Sequence, residues 1–311
     1  MTSPDWNFTV AVAQIASLLG DVTANQRKHL DVIDAARSAG VDVLVFPEMS
    51  LTGHAAGGDT LGLALRRDDP VITQIARASG AMCTVFGVIE EAPAAQFYNA
   101  AITVRNGAVL AVHRKINLAT YGRLDDGKHF AAGSCVETFD LATDWRASVM
   151  ICADLWNPAL VHLAAIQGTT VVLAPISSAI EAVGADFDNP GGWDINLRFY
   201  ALTYGLPIAM ANRVGREGDL TFWGGSRVVD PFGRTLAQAT SDGEDLARAR
   251  VDFGDVRRAR YLLPTVRDAN LPLIQREIER IARRQIERIV GSDSTFRRNA
   301  AESGDDSESR V

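Results

Sequence analysis

The feature that most constrains this chain is a series of short apolar runs, each too brief for a buried helix and each closed by a turn signal or a polar residue. Residues 9–14 (TVAVAQ), 41–46 (VDVLVF), 83–89 (CTVFGVI), 147–151 (ASVMI) and 169–174 (TTVVLA) are dominated by Val, Ile, Leu, Phe and Ala. Runs of that kind predict strands buried on both faces. Between them, residues 22–39, 71–79 and 158–167 predict helices, so strands and helices alternate. Residues 97–104 and 108–113 flank Asn106-Gly107, a strong hairpin turn signal, and predict one antiparallel pair. A helix over 196–204 then precedes strands at 207–211 and 225–229 and an Asp-Pro-Phe-Gly turn at 230–233. The expected class is α/β with mixed sheet.

Composition narrows the possibilities. The chain has 311 residues, 47% of them hydrophobic, which is enough for a substantial core. Its formal charge is −7 and no dense Lys/Arg patch interrupts it, which argues against nucleic-acid and anionic-membrane partners. The N-terminal MTSPDWNF lacks a basic and apolar leader pattern, and no long stretch is free of charge, so a cytoplasmic location is expected. Cys83, Cys135 and Cys152 are widely spaced with no C-x-x-C pair, so reduced thiols are expected rather than a disulfide framework or zinc site. There is no dinucleotide or phosphate-loop glycine pattern either, which agrees with the chemistry implied below, for which no metal and no organic cofactor is expected. Residues 272–290 read as an amphipathic helix with Ile274, Ile278, Ile281, Ile286 and Ile289 along it, and packing in a homodimer or higher homo-oligomer is the expectation. The expected folded domain is 1–290, followed by a polar, disordered tail at 291–311.

Three strand ends carry chemistry. Cys152 follows the run at 147–151, Glu48 follows 41–46 after one proline, and Lys115 follows 108–113. Reactive groups of α/β proteins collect beyond the carboxyl ends of strands. A thiol in such a place is expected to have a lowered pKa. Each residue alone has a plainer explanation: a small buried hydrophobe, a cap or surface acid, a solvated amine. A carboxylate, an ammonium and a thiol on three strand ends, in that order, is harder to reach by accident.

In this pattern the chain resembles the nitrilase superfamily of carbon–nitrogen hydrolases over roughly residues 8–265. FPEMSLTGH resembles that family's Glu motif, HRKINLATYGRLDDGKHFAAG its Lys motif, and ICADLWNP its C-x-D-x-x-x-P nucleophile motif. The resemblance implies an α-β-β-α sandwich of two mixed sheets flanked by helices. It also implies Glu48 as general base, Lys115 as oxyanion stabiliser and Cys152 as nucleophile, with the backbone N–H of Ala153 as a second oxyanion donor. One position departs from the pattern. Where glutamine-hydrolysing relatives carry a second Glu, this chain has Asp126, whose carboxylate reaches about 1.5 Å less far. Either the backbone compensates, or Asp126 is a solvated turn acid.

The implied activity is cleavage of a non-peptide C–N bond in a small linear amide through a cysteine thioester, with ammonia or an amine released. N-carbamoyl hydrolysis, glutamine hydrolysis and nitrile hydrolysis stay open beside it, as does a non-catalytic binding or scaffold protein with the same fold. The Tyr121-Gly122 loop resembles glutaminase domains of NAD synthetases. By the same resemblance Tyr121, Trp156, Ser177, Trp193 and Arg198 border the substrate pocket, with Arg198 available to a substrate carboxylate. A Cys-His dyad using His113 or His129 is disfavoured because no Asn or Asp partner is evident.

Overall fold

The computed structural model describes residues 7–184, 186–240 and 243–285. Residues 7–266 form one compact unit. Its first sheet begins with β1 (Asn7–Gln14), β2 (Val43–Val45), β3 (Cys83–Ala92), β4 (Gln96–Arg105) and β5 (Ala108–Arg114). The second contains β6 (Phe139–Ala142), β7 (Trp145–Val149), β8 (Val171–Ile176) and β9 (Ile208–Asn212). A separate hairpin, β10 (Val214–Glu217) and β11 (Leu220–Trp223), precedes β12 (Arg227–Val229) and β13 (Thr235–Gln238), and β14 (Asp245–Asp252) returns to the first sheet beside β1. The orders are β14-β1-β2-β3-β4-β5 and β13-β12-β9-β8-β7-β6. In each, three central strands run parallel and the flanking strands pair antiparallel.

Alternation along the strands explains the layers. Val10, Val12, Val43, Val45 and Val85 of the first sheet share one core with Val149, Val171, Leu173, Ala209 and Val228 of the second. Their neighbours Ala11, Ala13, Leu44 and Phe86 point the other way, into a core with Ile33, Ile72 and Ile75. Those last residues lie on α1 (Val22–Ser38) and, after the short α2 (Thr60–Leu63), on α3 (Pro70–Ser79). On the second sheet Val172 and Ala174 face Val161, Leu197 and Tyr200. These side chains belong to the helices that follow the one-turn α4 (Asp126–His129), namely α5 (Pro158–Ile166) and α6 (Asn189–Tyr204). The last helix of this unit, α7, spans Phe253–Leu262. Helix, sheet, sheet, helix is the layering the two-residue period dictates once both faces of each sheet are apolar.

Two boundaries differ from the sequence reading. Helix α6 begins at Asn189, not at residue 196, because the Asp188 side chain caps it through Gly191 N–H and Pro190 sits in its first turn. The Gly191-Gly192 pair reads as a breaker in isolation, and the packed neighbours override it. Strand β7 stops at Val149 and Cys152 opens a 3-10 turn, Cys152–Trp156, so the nucleophile candidate is three residues beyond the strand. The first compact unit runs to residue 266 and a second begins at residue 267. In the second unit, residues 271–285 are helical; the rest of the helix expected at 272–290, and the expected tail, lie outside the described residues. No helix among the described residues is long and apolar enough to cross a membrane.

Candidate active site

Glu48 is held by a loop that leaves β2 and folds over β3. The N–H of Glu48 donates to Ile176 O of the second sheet at 3.3 Å, so this residue stitches the two sheets together. Met49 follows with φ 49°, a left-handed conformation that costs a non-glycine residue energy. Gly87 makes the close approach feasible. A Cβ there would stand 2.1 Å from Met49 N and 2.7 Å from Pro47 O. Beneath the loop, buried His29 bonds Asn25 O through Nδ1 (2.7 Å) and Ser50 Oγ through Nε2 (2.9 Å), and stacks on Phe46 at 4.2 Å. Burial lowers the His29 pKa to about 4, so the ring is neutral.

Lys115 lies just past β5, and its backbone N–H donates to Asn99 O at 2.9 Å. Its Nζ donates to Glu48 Oε1 at 2.7 Å and to Asp126 Oδ2 at 2.6 Å, with the ammonium side chain only 2% exposed. Burial alone would push this amine down; the Glu48 and Asp126 carboxylates outweigh it and hold the pKa well above the ordinary lysine range. The side chain of Asn99 gives Glu48 Oε1 a second donor at 2.8 Å, whereas Glu48 Oε2 is buried with no hydrogen-bond partner among the described residues.

Asp126 is buried, not a solvated turn acid. Its backbone N–H donates to Ala119 O (3.0 Å) and Oδ2 accepts the Ala119 N–H (3.1 Å), a reciprocal pair that draws the head of α4 toward the amine. Its carboxylate reaches Lys115 Nζ without a second methylene.

Cys152 has φ 43° and is partly buried between the inter-sheet core and the outer core of the second sheet. Its pKa is raised, which reverses the lowered value expected from its place in the chain. Burial is the largest cause and the Glu48 charge the next; the Lys115 ammonium and a hydrogen bond from the Ser177 backbone pull the other way without prevailing. The resting group is a thiol beside a carboxylate.

Asp154, two residues on, joins the elements. Completely buried, it accepts from Ile116 N (3.0 Å) and Asn117 N (2.7 Å) after Lys115, from Ile151 N (3.0 Å) before Cys152, and from His113 Nε2 (2.8 Å) on β5. Four donors satisfy a carboxylate that would otherwise be costly to bury.

The remaining sequence candidates fall into two groups. Tyr121 lies close enough to feel Cys152, and its phenol is pushed up to about 12, first by burial and then by that sulfur. Ala153 is buried, and its carbonyl accepts from the Asn117 side chain at 2.8 Å. Ser177 is buried with its hydroxyl unpartnered among the described residues. Trp156 packs edge-on against Trp193 (5.0 Å) and Phe187 (5.9 Å). Trp193 is itself a core residue, 1% exposed, with Nε1 donating to Ser178 Oγ at 3.0 Å. Arg198 stands apart: its exposed guanidinium pairs with Asp194 one turn back on α6, because that position faces away from the core residues Trp193 and Leu197. His113 is engaged by Asp154 and His129 lies 3.4 Å from Asp125, so neither pairs with the thiol. Asn99 and Gly87 were not legible as site residues, since a mid-strand Asn and a mid-strand Gly carry no spacing signal. Asp154 had one, the C-x-D spacing. Among the described residues no cluster of three or more His, Cys, Asp or Glu is arranged to hold a metal.

The family model for carbon–nitrogen hydrolases matches residues 9–261. A glutamine-dependent NAD(+) synthetase of Thermotoga maritima is 32% identical over 232 residues, covering 73% of this chain and 39% of that protein. The chain thus spans about two fifths of the length of such relatives. A hydrolase encoded in the pqqF 5' region of Pseudomonas protegens is 31% identical over 229 residues, covering 71% of this chain and 75% of that one. In fold, the chain is similar to a double mutant of the amidase from Nesterenkonia sp. AN1 in complex with acrylamide (TM-score 0.74, 21% identity, 89% and 99% of the two chains covered).

Proposed function

The chain belongs to the carbon–nitrogen hydrolase family, and we propose that it hydrolyses the C–N bond of a small linear amide through a thioester on Cys152. The observation that carries this reading is the Lys115 ammonium, 2.7 Å from Glu48 and 2.6 Å from Asp126, beside a thiol on a left-handed turn. Glu48 takes the thiol proton as sulfur attacks the carbonyl carbon, and the negative charge grows on the carbonyl oxygen. Lys115 and the Ala153 N–H stabilise that oxyanion; one such donor is worth about 3 to 4 kcal/mol in comparable sites. The tetrahedral adduct collapses, the C–N bond breaks, and the proton on Glu48 passes to the leaving nitrogen. Water then gives a proton to Glu48 and attacks the thioester carbon; the C–S bond breaks and the sulfur regains its proton from Glu48. A raised thiol pKa suits this cycle, because proton transfer accompanies attack and no resting thiolate is needed.

Asp126 holds Lys115 in place and charged. Tyr121, Trp156 and Ser177 shape the substrate's surroundings, with Trp193 supporting Trp156 from the core. Glutamine is the second substrate candidate, supported by the 32% identity to a glutamine-dependent synthetase. The experiment is ammonia release from acetamide, glutamine and N-carbamoylglycine, with the intact mass of the protein read during turnover. Acyl mass on wild type and none on Cys152→Ala is the expected result. A folded protein silent on all three, with no adduct, refutes the proposal.

A further inference from the structure

On the helix-facing side of the first sheet lies a charged group that the cycle above does not use. Glu90 on β3 has a fully buried side chain, and two arginines reach it. Arg114 donates through Nε to Oε2 at 2.7 Å and through Nη2 to Oε1 at 3.2 Å, and Arg67 donates through Nε to Oε1 at 2.7 Å. Burial would raise the pKa of this acid; the Arg114 and Arg67 guanidiniums outweigh it and hold the carboxyl below its ordinary value. The Arg114 guanidinium also covers the Tyr98 ring at 4.0 Å. A two-pronged contact with the acid and a stacked ring leave Arg114 little freedom to turn.

The place of these residues in the strands connects them to the site. Val88, Ala100 and Val112 pack in the core between the first sheet and its helices, and Glu90, Tyr98 and Arg114 are each two residues from one of them along β3, β4 and β5, hence on the same face. The next residue on β4 is Asn99, which shares the opposite face with Ala101 of the inter-sheet core, and the next residue after β5 is Lys115. Those two are the donors to Glu48 Oε1, at 2.8 Å and 2.7 Å, and the Lys115 N–H donates to Asn99 O at 2.9 Å. The exit of β5 is fixed as well: the Gly133 N–H donates to Lys115 O at 2.8 Å, and a Cβ on Gly133 would stand 2.2 Å from Arg114 O. Arg67 reaches Glu90 by another route, from the loop whose Leu65 N–H donates to Ile89 O at 2.8 Å.

We propose that Glu90 and Arg114 are positioning residues for the general base: by locking β3 to β5 across Tyr98 of β4, they keep Lys115 and Asn99 together on Glu48 Oε1 and leave Oε2 to take the thiol proton. This rests on the thioester reading. Neither residue touches substrate; each acts through the residue that follows Arg114 or Tyr98. A carboxylate held at one oxygen by two donors keeps its other oxygen aimed in one direction, and Glu48 Oε2 has no hydrogen-bond partner among the described residues to aim it otherwise. A base displaced by about 1 Å can lose on the order of 10²-fold in rate, so the strands that carry its two donors have to be held in register.

The test uses the thiol as reporter. Alkylation of Cys152 by iodoacetamide is followed on its own peptide by mass spectrometry at pH 7 and pH 9, beside kcat and KM for the amide the wild type hydrolyses fastest among acetamide, glutamine and N-carbamoylglycine. Glu90→Gln is expected to lower kcat by about tenfold, roughly the worth of one hydrogen bond, with KM near wild type. Alkylation should fall by a similar factor at pH 7, where the thiol depends on Glu48 for its ionisation, and by less at pH 9, where hydroxide takes over that task. Partial unfolding, by contrast, removes the same fraction at both pH values. Because Glu90→Gln leaves two guanidiniums without their charge partner and risks misfolding, Arg114→Lys is run beside it and thermal melts are compared. That variant keeps the cation but loses the fork and the stacked ring, and the same pH-dependent loss is expected in smaller measure. Arg67→Gln removes a bond to the same acid from the loop side, and should lower Tm with the ratio of the two alkylation rates as in wild type. Losses equal at both pH values, wild-type rates in both Glu90→Gln and Arg114→Lys, or a ratio shifted as far in Arg67→Gln as in Arg114→Lys overturn the positioning role alone. A wild type that turns over none of the amides and takes no acyl group overturns the hydrolase reading, and this inference with it.

Discussion

Asp126 Oδ2 sits 2.6 Å from Lys115 Nζ, as close as the Glu48 oxygen on the ammonium's other side at 2.7 Å. A single cation is thus clamped by two buried acids, one of them a residue whose side chain is short for the task. The Ala119 pair that draws α4 inward sets this distance. Asp126→Asn removes one of the two charges that keep Lys115 protonated and in place; turnover is expected to fall on the order of 10²-fold, measured as kcat on the preferred amide. Asp126→Glu adds a methylene where the backbone has already closed in, and is expected to lower stability by about 1 to 3 kcal/mol in denaturant titration.

Gly87→Ala tests the approach of the Glu48 loop to β3. The new Cβ would lie 2.1 Å from Met49 N, a backbone atom that cannot rotate away. The loop has to lift, carrying Glu48 off Lys115. We expect the protein to fold with a lowered Tm and to lose most of its turnover, while a small-to-small change at exposed Gly62, where nothing lies within 4 Å of the new atom, leaves both near wild type.

Asp154→Asn keeps the shape of the hub but turns an acceptor oxygen into an N–H donor facing other donors. With Ile116, Asn117, Ile151 and His113 all donating to this carboxylate, the cost is expected to be on the order of 3 kcal/mol. Chemical denaturation measures the loss, and a kcat that falls further than KM changes would show that the Lys115 and Cys152 loops have lost their mutual alignment.

His29 predicts an acid limit to stability. Its folded pKa is depressed from 6.5 to about 4, so between those values the unfolded chain binds a proton that the native one does not. Stability from this residue is complete above pH 6.5 and declines as pH falls toward 4, by up to about 1.4 kcal/mol per pH unit. Protonation would also take the Nε2 acceptor from Ser50, under the Glu48 loop. Unfolding free energies at pH 7, 6, 5 and 4 should show the slope, and His29→Gln should flatten it.

Cys83 sets an opposite limit in base. Burial raises its thiol from 9.0 to about 12, so above pH 9 the unfolded chain ionises while the native one stays protonated. Its contribution is complete below pH 9 and is lost as pH rises toward 12. Cys83→Ala should lower stability at pH 7 through the cavity it leaves, yet reduce the decline between pH 9 and 11; equal declines in both proteins would count against this assignment.

Much of the fold was legible because a strand's two-residue period is written directly in the chain. Val10 and Val12 alternate with Ala11 and Ala13, and the structure sends the first pair between the sheets and the second toward the helices. The apolar runs put Glu48, Lys115 and Cys152 just past their ends, though Cys152 opens a 3-10 turn three residues beyond β7. Periodicity reports which way a side chain faces along its own element; it carries no record of which element stands opposite. That Asn99 braces Glu48, that Asp154 ties two loops, that Asp126 reaches its amine and that Arg198 faces outward are consequences of packing between distant segments. So is the direction of the Cys152 pKa, since desolvation depends on everything gathered around the sulfur and not on its neighbours in the chain.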